Sequence, residues 1–105
     1  SQRLDEAMQA LERAYRLGPE NPRLGYVYGI ALENAGQRDQ AIDVWEAVVK
    51  RHPNDHATLN VLTMTLYQAG EHQRALVHAD HLATLSPDDQ AWKMVVSRIR
   101  QAATR

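Results

Sequence analysis

The residue pattern predicts an all-α chain of about six helices, arranged as successive antiparallel pairs. Three observations carry that expectation. Pro19, Pro53 and Pro87 stand 34 residues apart, and Ala7, Ala41 and Ala75 keep the same interval, so one unit recurs along the chain. Between these marks the apolar residues return at the i, i+3, i+4 spacing of a helix face. No stretch sustains the strict alternation of a half-buried strand.

The elements follow in order. Leu4, Ala7, Met8, Leu11, Ala14 and Tyr15 form one helical stripe within residues 1–21. Asn21 is placed to cap the next helix, with Pro22 in its first turn and Gly36 as a left-handed stop. Leu24, Val27, Tyr28, Ala31, Leu32 and Ala35 make up its apolar stripe. A helix from Arg38 to Arg51 carries Ala41, Ile42, Val44, Trp45, Val48 and Val49, and His52 and Pro53 end it. Asp55 then opens a helix with Leu59, Leu62, Leu66 and Ala69, which Gly70 breaks. His72 to Leu85 follows with Ala75, Leu76, Ala79, Leu82 and Ala83, after which Ser86 and Pro87 are expected as N-cap and first-turn residue of the next helix. The last helix, expected from Asp88 to Ala103, places Trp92, Val95, Val96, Ile99, Ala102 and Ala103 on one stripe, with Arg98, Arg100 and Arg105 toward the end that favours cations.

Other positions keep the same register: Leu32 and Leu66, Ala35 and Ala69, Gly36 and Gly70, the acidic Glu12, Glu46 and Asp80, and Asn21, Asp55 and Asp89, which occupy one further equivalent position. Together with the small pair Gly29 and Ala41, and Thr63 with Ala75 one unit later, these residues resemble the tetratricopeptide repeat. The resemblance implies an α-solenoid of antiparallel helix pairs with small residues where the two helices of a pair approach. It places residues 1–21 as the second helix of a truncated repeat, 22–55 and 56–89 as full repeats, and 90–105 as a C-terminal capping helix. The small residue the family favours late in the second helix is Ala14 in the first unit but Val48 and Leu82 in the others, which predicts wider helix spacing there. A chain that begins with Ser1 inside a unit is expected to be a piece of a longer protein.

Composition excludes several classes of function. Lys and Arg number 12 against 13 Asp and Glu, a formal charge of −1, so nothing draws the chain to nucleic acid. There is no cysteine, and hence no thiolate metal site, disulfide or cysteine nucleophile within it. No apolar run approaches the length of a membrane span, no secretory leader pattern opens the chain, and no membrane insertion is expected. The compartment is left open.

No catalytic residue is expected, and the chain reads as a non-enzyme. Ser86 reads as a cap and Ser97 has no base beside it; Asp80 and His81 are sequence neighbours that point about 100° apart on a helix. Neither phosphate-binding glycine pattern occurs. His78 and His81, three residues apart, are the best metal pair, but a structural site needs about four ligands, and His72 and Asp80 fall on other faces. No metal and no cofactor is expected.

The aromatic residues divide. Tyr28, Trp45 and Trp92 lie on packing stripes, whereas Tyr26 and Tyr67 lie on the opposite face of their helices. In the family resembled, first helices line a concave groove that holds peptides. Carried onto this register, the groove comprises Arg23, Tyr26, Ile30, Glu33 and Asn34, then Asn60, Met64, Tyr67 and Gln68, then Met94, Arg98 and Gln101. The subtype that clamps the acidic carboxyl terminus of chaperones uses basic and asparagine side chains where this chain has Tyr26, Ile30 and Met64, and is disfavoured. The expected function is a scaffold or adaptor that binds a peptide or helical segment of a partner protein. Two alternatives stand beside it: an accessory region of a larger enzyme or of a secretion or assembly factor, and a self-association domain. For the last, Leu4, Met8, Leu11 and Tyr15 form an apolar N-terminal edge through which two copies are expected to pair.

Overall fold

The computed structural model describes residues 2–104, and these form six α-helices with no strand among them. The helices are α1 (Gln2–Leu17), α2 (Pro22–Asn34), α3 (Arg38–Arg51), α4 (His56–Gln68), α5 (His72–Leu85) and α6 (Gln90–Ala103). They divide into two compact units, Ser1–Asp55 with α1 to α3 and His56–Arg105 with α4 to α6. Within the first, α2 packs on both α1 and α3; within the second, α5 packs on both α4 and α6. The α3 and α5 boundaries coincide with those expected from sequence.

The repeating prolines have a local cause. Gly18 to Asn21, His52 to Asp55 and Ser86 to Asp89 each form a four-residue turn with proline second, where its fixed φ suits the turn. The fourth residue's N–H donates to the first residue's carbonyl at 3.0, 3.2 and 3.0 Å respectively. This geometry corrects the expected start of the last helix. Ser86 is the C-cap of α5, its N–H reaching the Leu82 carbonyl, and the N-cap of α6 is Asp89, whose Oδ1 accepts from Ala91 N at 2.9 Å. Pro87 therefore belongs to a turn, and α6 begins two residues later than Asp88. Asn21 caps α2 in the same manner, accepting from Arg23 N at 3.0 Å with Pro22 following.

The two glycine stops act alike. Gly36 and Gly70 each have φ +80°, a conformation in which a side chain is strained. Beyond them, Gln37 N donates to Leu32 O and Glu71 N to Leu66 O, both at 2.9 Å, closing the last turns of α2 and α4.

Each unit has its own core. In the first, Tyr28, Leu32, Ala41, Ile42, Trp45, Val48 and Val49 are buried; in the second, Leu59, Leu62, Leu66, Ala75, Ala79, Leu82, Val96 and Ile99. The approach of α2 and α3 depends on two glycines of α2. A Cβ on Gly29 would overlap the indole of the fully buried Trp45, and one on Gly25 would overlap Cγ2 of Val48. Trp45 Nε1 also donates to the Tyr26 carbonyl at 3.2 Å, so the ring that fills the glycine notch has its one polar atom satisfied. Val48, the departure from the family's preference, is thus accommodated at Gly25.

One repeat later the same positions hold different sizes. Thr63 and Ala79 stand where the first unit has Gly29 and Trp45, and Leu59 and Leu82 where it has Gly25 and Val48; all four are buried. A larger residue on α4 is matched by a smaller one on α5 in the first exchange, the kind of volume compensation that close-packed interiors require. The Thr63 hydroxyl turns back to donate to Leu59 O at 2.7 Å, so its burial strands no polar group.

Candidate partner-binding groove

In the second unit, α4 and α6 present side chains to a common concavity of about 380 Å³. From α4 come Met64 and Tyr67; from α6 come Ala91, Met94, Val95, Arg98 and Ile99, which recur at i, i+3, i+4, i+7 and i+8 and so share one helix face. The wall is apolar with one cation. Met64 is 44% exposed and Met94 67% exposed, whereas Ile99 at the base is buried. Tyr67 is half-buried, and its ring lies against that of His72 across the α4–α5 turn, centroids 5.2 Å apart and tilted by 53°. That contact restrains one side of the ring and leaves the other in the groove.

A second, shallower hollow of about 300 Å³ adjoins the first and shares Met94 and Arg98 with it; its other lining residues are Lys93, Ser97 and Gln101. The structure therefore brings together five of the residues assigned to a groove from sequence, Met64, Tyr67, Met94, Arg98 and Gln101, in one connected surface. Asn60 and Gln68 are exposed on α4 and do not line either hollow. Arg23 and Asn34 are exposed and Tyr26, Ile30 and Glu33 half-buried on α2, in the first unit. Glu33 is engaged there, with Oε2 3.6 Å from Nε of Arg38.

Val95, Ile99, Ala91, Lys93 and Ser97 were not among the sequence-assigned groove residues. Val95 and Ile99 fell on the packing stripe, and they do pack, but the edge of that stripe also floors the groove. Lys93, Ser97 and Gln101 follow one another at intervals of four, a polar stripe that the spacing alone could have revealed. Of the basic residues assigned to the end of α6, only Arg100 lies in its last turn, where it pairs with Asp80 of α5 at 3.3 Å; Arg105 lies outside the described residues.

Elsewhere, Tyr15, Pro19, Asn21, Ala47, Val48, Lys50 and Arg51 line a hollow of about 260 Å³ in the first unit. Lys50 and Arg51 occupy the last turn of α3, where the helix dipole favours cations, so their presence has a structural reason. In the same region a His52 ring nitrogen lies 3.3 Å from the Pro19 carbonyl oxygen, to which it donates when protonated at Nε2. No residue of α1 is buried: Leu4 is 70% exposed, and Met8, Leu11 and Tyr15 are half-buried, Tyr15 with its ring 5.6 Å from that of Tyr28. Among the described residues no group of three or more His, Asp or Glu side chains could hold a metal ion, and no helix is long and apolar enough to cross a membrane.

Comparison with known proteins agrees with this architecture. The chain is 27% identical over 103 residues to the cytochrome c-type biogenesis protein CycH of Bradyrhizobium diazoefficiens, covering 95% of this chain and 28% of that protein. It is 32% identical over 99 residues to the CycH protein of Rhizobium meliloti, covering 91% of this chain and 26% of that one. It thus spans little more than a quarter of either relative. Among solved structures, a MamA RS-1 double mutant superimposes with a TM-score of 0.80 at 23% identity, covering 96% of this chain and 57% of the other. A MamA fragment from Desulfovibrio magneticus RS-1 gives 0.78, also at 23% identity, covering 95% and 56%. The sequence pattern of the tetratricopeptide repeat matches residues 1–64, more than half of the chain. With the paired helices, the 34-residue period and this match in agreement, the chain belongs to the tetratricopeptide repeat family of protein-interaction scaffolds.

Proposed function

We propose that this chain is the partner-holding region of an assembly factor, that it seats a segment of another protein in the α4–α6 groove, and that it contributes no catalysis of its own. The observation that carries the proposal is the groove itself: exposed Met64 and Met94, with the restrained ring of Tyr67, form an apolar wall open to solvent. Methionine adapts its shape to an incoming side chain, and a tyrosine held on one side contributes area with little entropy left to lose. Exposed apolar walls of this kind are characteristic of recognition surfaces. The two CycH relatives suggest the process served, cytochrome c-type biogenesis.

The test is made in cells with the full-length protein. Tyr67→Ala combined with Met94→Ala should lower the amount of haem-stained c-type cytochrome while leaving the level of the protein itself unchanged. Normal cytochrome levels in that variant would sink the proposal.

A second reading, pairing of two copies through α1, is favoured by the exposure of Leu4 and the absence of any buried residue in that helix. Sedimentation of the full-length protein and of its Leu4→Glu variant decides it: a dimer lost in the variant supports pairing, and a monomer in both excludes it.

A further inference from the structure

Two cations of α6 face the groove without a partner. Neither Lys93 nor Arg98 makes an ion pair or a side-chain hydrogen bond with any described residue, and no acidic side chain lines either hollow. The fold gives no reason for either. The cation that the end of α6 favours is supplied by Arg100, which pairs with Asp80. Arg98 lies before that last turn. Lys93 stands at the fourth position of the helix, near the end whose dipole repels positive charge. Both side chains adjoin Met94, so the charge sits at the margin of the apolar wall where an occupant would lie.

From this juxtaposition we infer that the groove selects an acidic amphipathic segment of a partner protein, with an apolar side chain between Met64, Tyr67 and Met94 and flanking carboxylates on Arg98 and Lys93. The inference rests on the groove being the partner site and adds the charge of what it accepts. A carboxylate at Arg98 can be held by two parallel N–H donors of the guanidinium, and the apolar surroundings strengthen that pairing over one in open water. The same two cations repel a basic segment of equal hydrophobicity, so the groove discriminates by rejection as well as by attraction. Lys93 and Arg98 thus act as specificity determinants, and Met64, Tyr67 and Met94 as anchors.

The test uses the full-length protein and three fluorescent peptides that share leucines at helical i, i+3 and i+4 spacing and differ only in their flanking residues: Glu, Gln or Lys. In about 0.05 M salt the Glu peptide should bind roughly tenfold more tightly than the Gln peptide, and the Lys peptide weakest; at about 0.5 M salt the spread should narrow. The double variant Lys93→Glu/Arg98→Glu, both exposed positions, should reverse the order with an unchanged melting midpoint. Equal binding of the three peptides at low salt overturns the inference and leaves the groove as the partner site. Acid preference that survives the double reversal overturns it as well, because the recognising cations then lie elsewhere. Failure of all three peptides to bind also overturns it, while the groove itself continues to stand or fall on the cytochrome measurement with Tyr67 and Met94 replaced.

Discussion

The indole of Trp45 occupies the space that a Cβ on Gly29 would need. The pair works as a notch and a wedge, and neither residue is replaceable alone. Gly29→Ala would gain about 1 kcal/mol of helix propensity but force the buried ring to move, an overpacking cost of about 1–3 kcal/mol. The net expectation is a lower melting midpoint, by about 4–8 °C for each kcal/mol lost. The second unit supplies the compensated alternative, so Gly29→Thr with Trp45→Ala should be less destabilising than the sum of the single changes. Strict additivity in that cycle would show that the two residues do not share one space.

Ala41 is buried with no exposed surface. Ala41→Leu should destabilise the protein by about 1–3 kcal/mol in thermal or urea unfolding. An unchanged midpoint would mean that α3 can turn this position toward solvent.

Gly36 and Gly70 present the opposite case, with nothing within 4 Å of an added Cβ and a positive φ at each. Gly36→Ala and Gly70→Ala should each cost about 1–2 kcal/mol through backbone strain alone, and asparagine at either position should cost less. Equal stability of the alanine and asparagine variants would point to a cause other than the left-handed conformation.

Burial holds the Tyr28 hydroxyl above the ordinary tyrosine pKa of about 10, with the carboxylate of Glu12 acting in the same direction and Arg16 opposing it. The folded chain therefore keeps this proton at a pH where the unfolded chain releases it. Stability attributable to the group is complete below about pH 10 and falls as pH rises through the higher folded-state value. Tyr28→Phe should remove this component of alkaline unfolding; an unchanged high-pH limb would assign it to other groups.

No metal contribution to stability is expected. His78 and His81 have the spacing for a shared ion but no third His, Asp or Glu ligand among the described residues. Melting with and without a strong chelator should superimpose, and a chelator-dependent midpoint would require a site that these residues do not supply.

Helix ends were readable from sequence wherever they depend on local chemistry. Pro22, Gly36 and Gly70 act through backbone conformation alone, and Asn21 caps α2 as its place before Pro22 indicates. Ser86 misled because a serine before a proline satisfies the rule for a helix start and the rule for a turn equally well; only the Asp89 to Ser86 hydrogen bond separates them. The fit of Val48 against Gly25 was beyond reach for a different reason. It depends on which residues of two helices meet, and repeat spacing alone does not specify that. The groove divided in the same way. Tyr67 stood off the packing stripes and Met64, Met94 and Arg98 came from carrying the family's groove onto the repeat register, but Val95 and Ile99 serve packing and groove at once, and a single stripe assignment could show only one of those roles.

The division of the two tryptophans gives the protein a built-in pair of reporters. Trp45 is sealed in the first unit and Trp92 is half-buried in the second, and there is no other tryptophan. With Trp92→Phe, intrinsic fluorescence follows the first unit alone, and its emission should be blue-shifted and resistant to iodide quenching until the Gly29 notch opens. With Trp45→Phe, the remaining signal follows α6, the helix that carries most of the groove. Comparing the two emission curves during urea titration would show whether the repeats melt as one body or in succession, and a spectral change on adding a partner peptide would tell which of them responds.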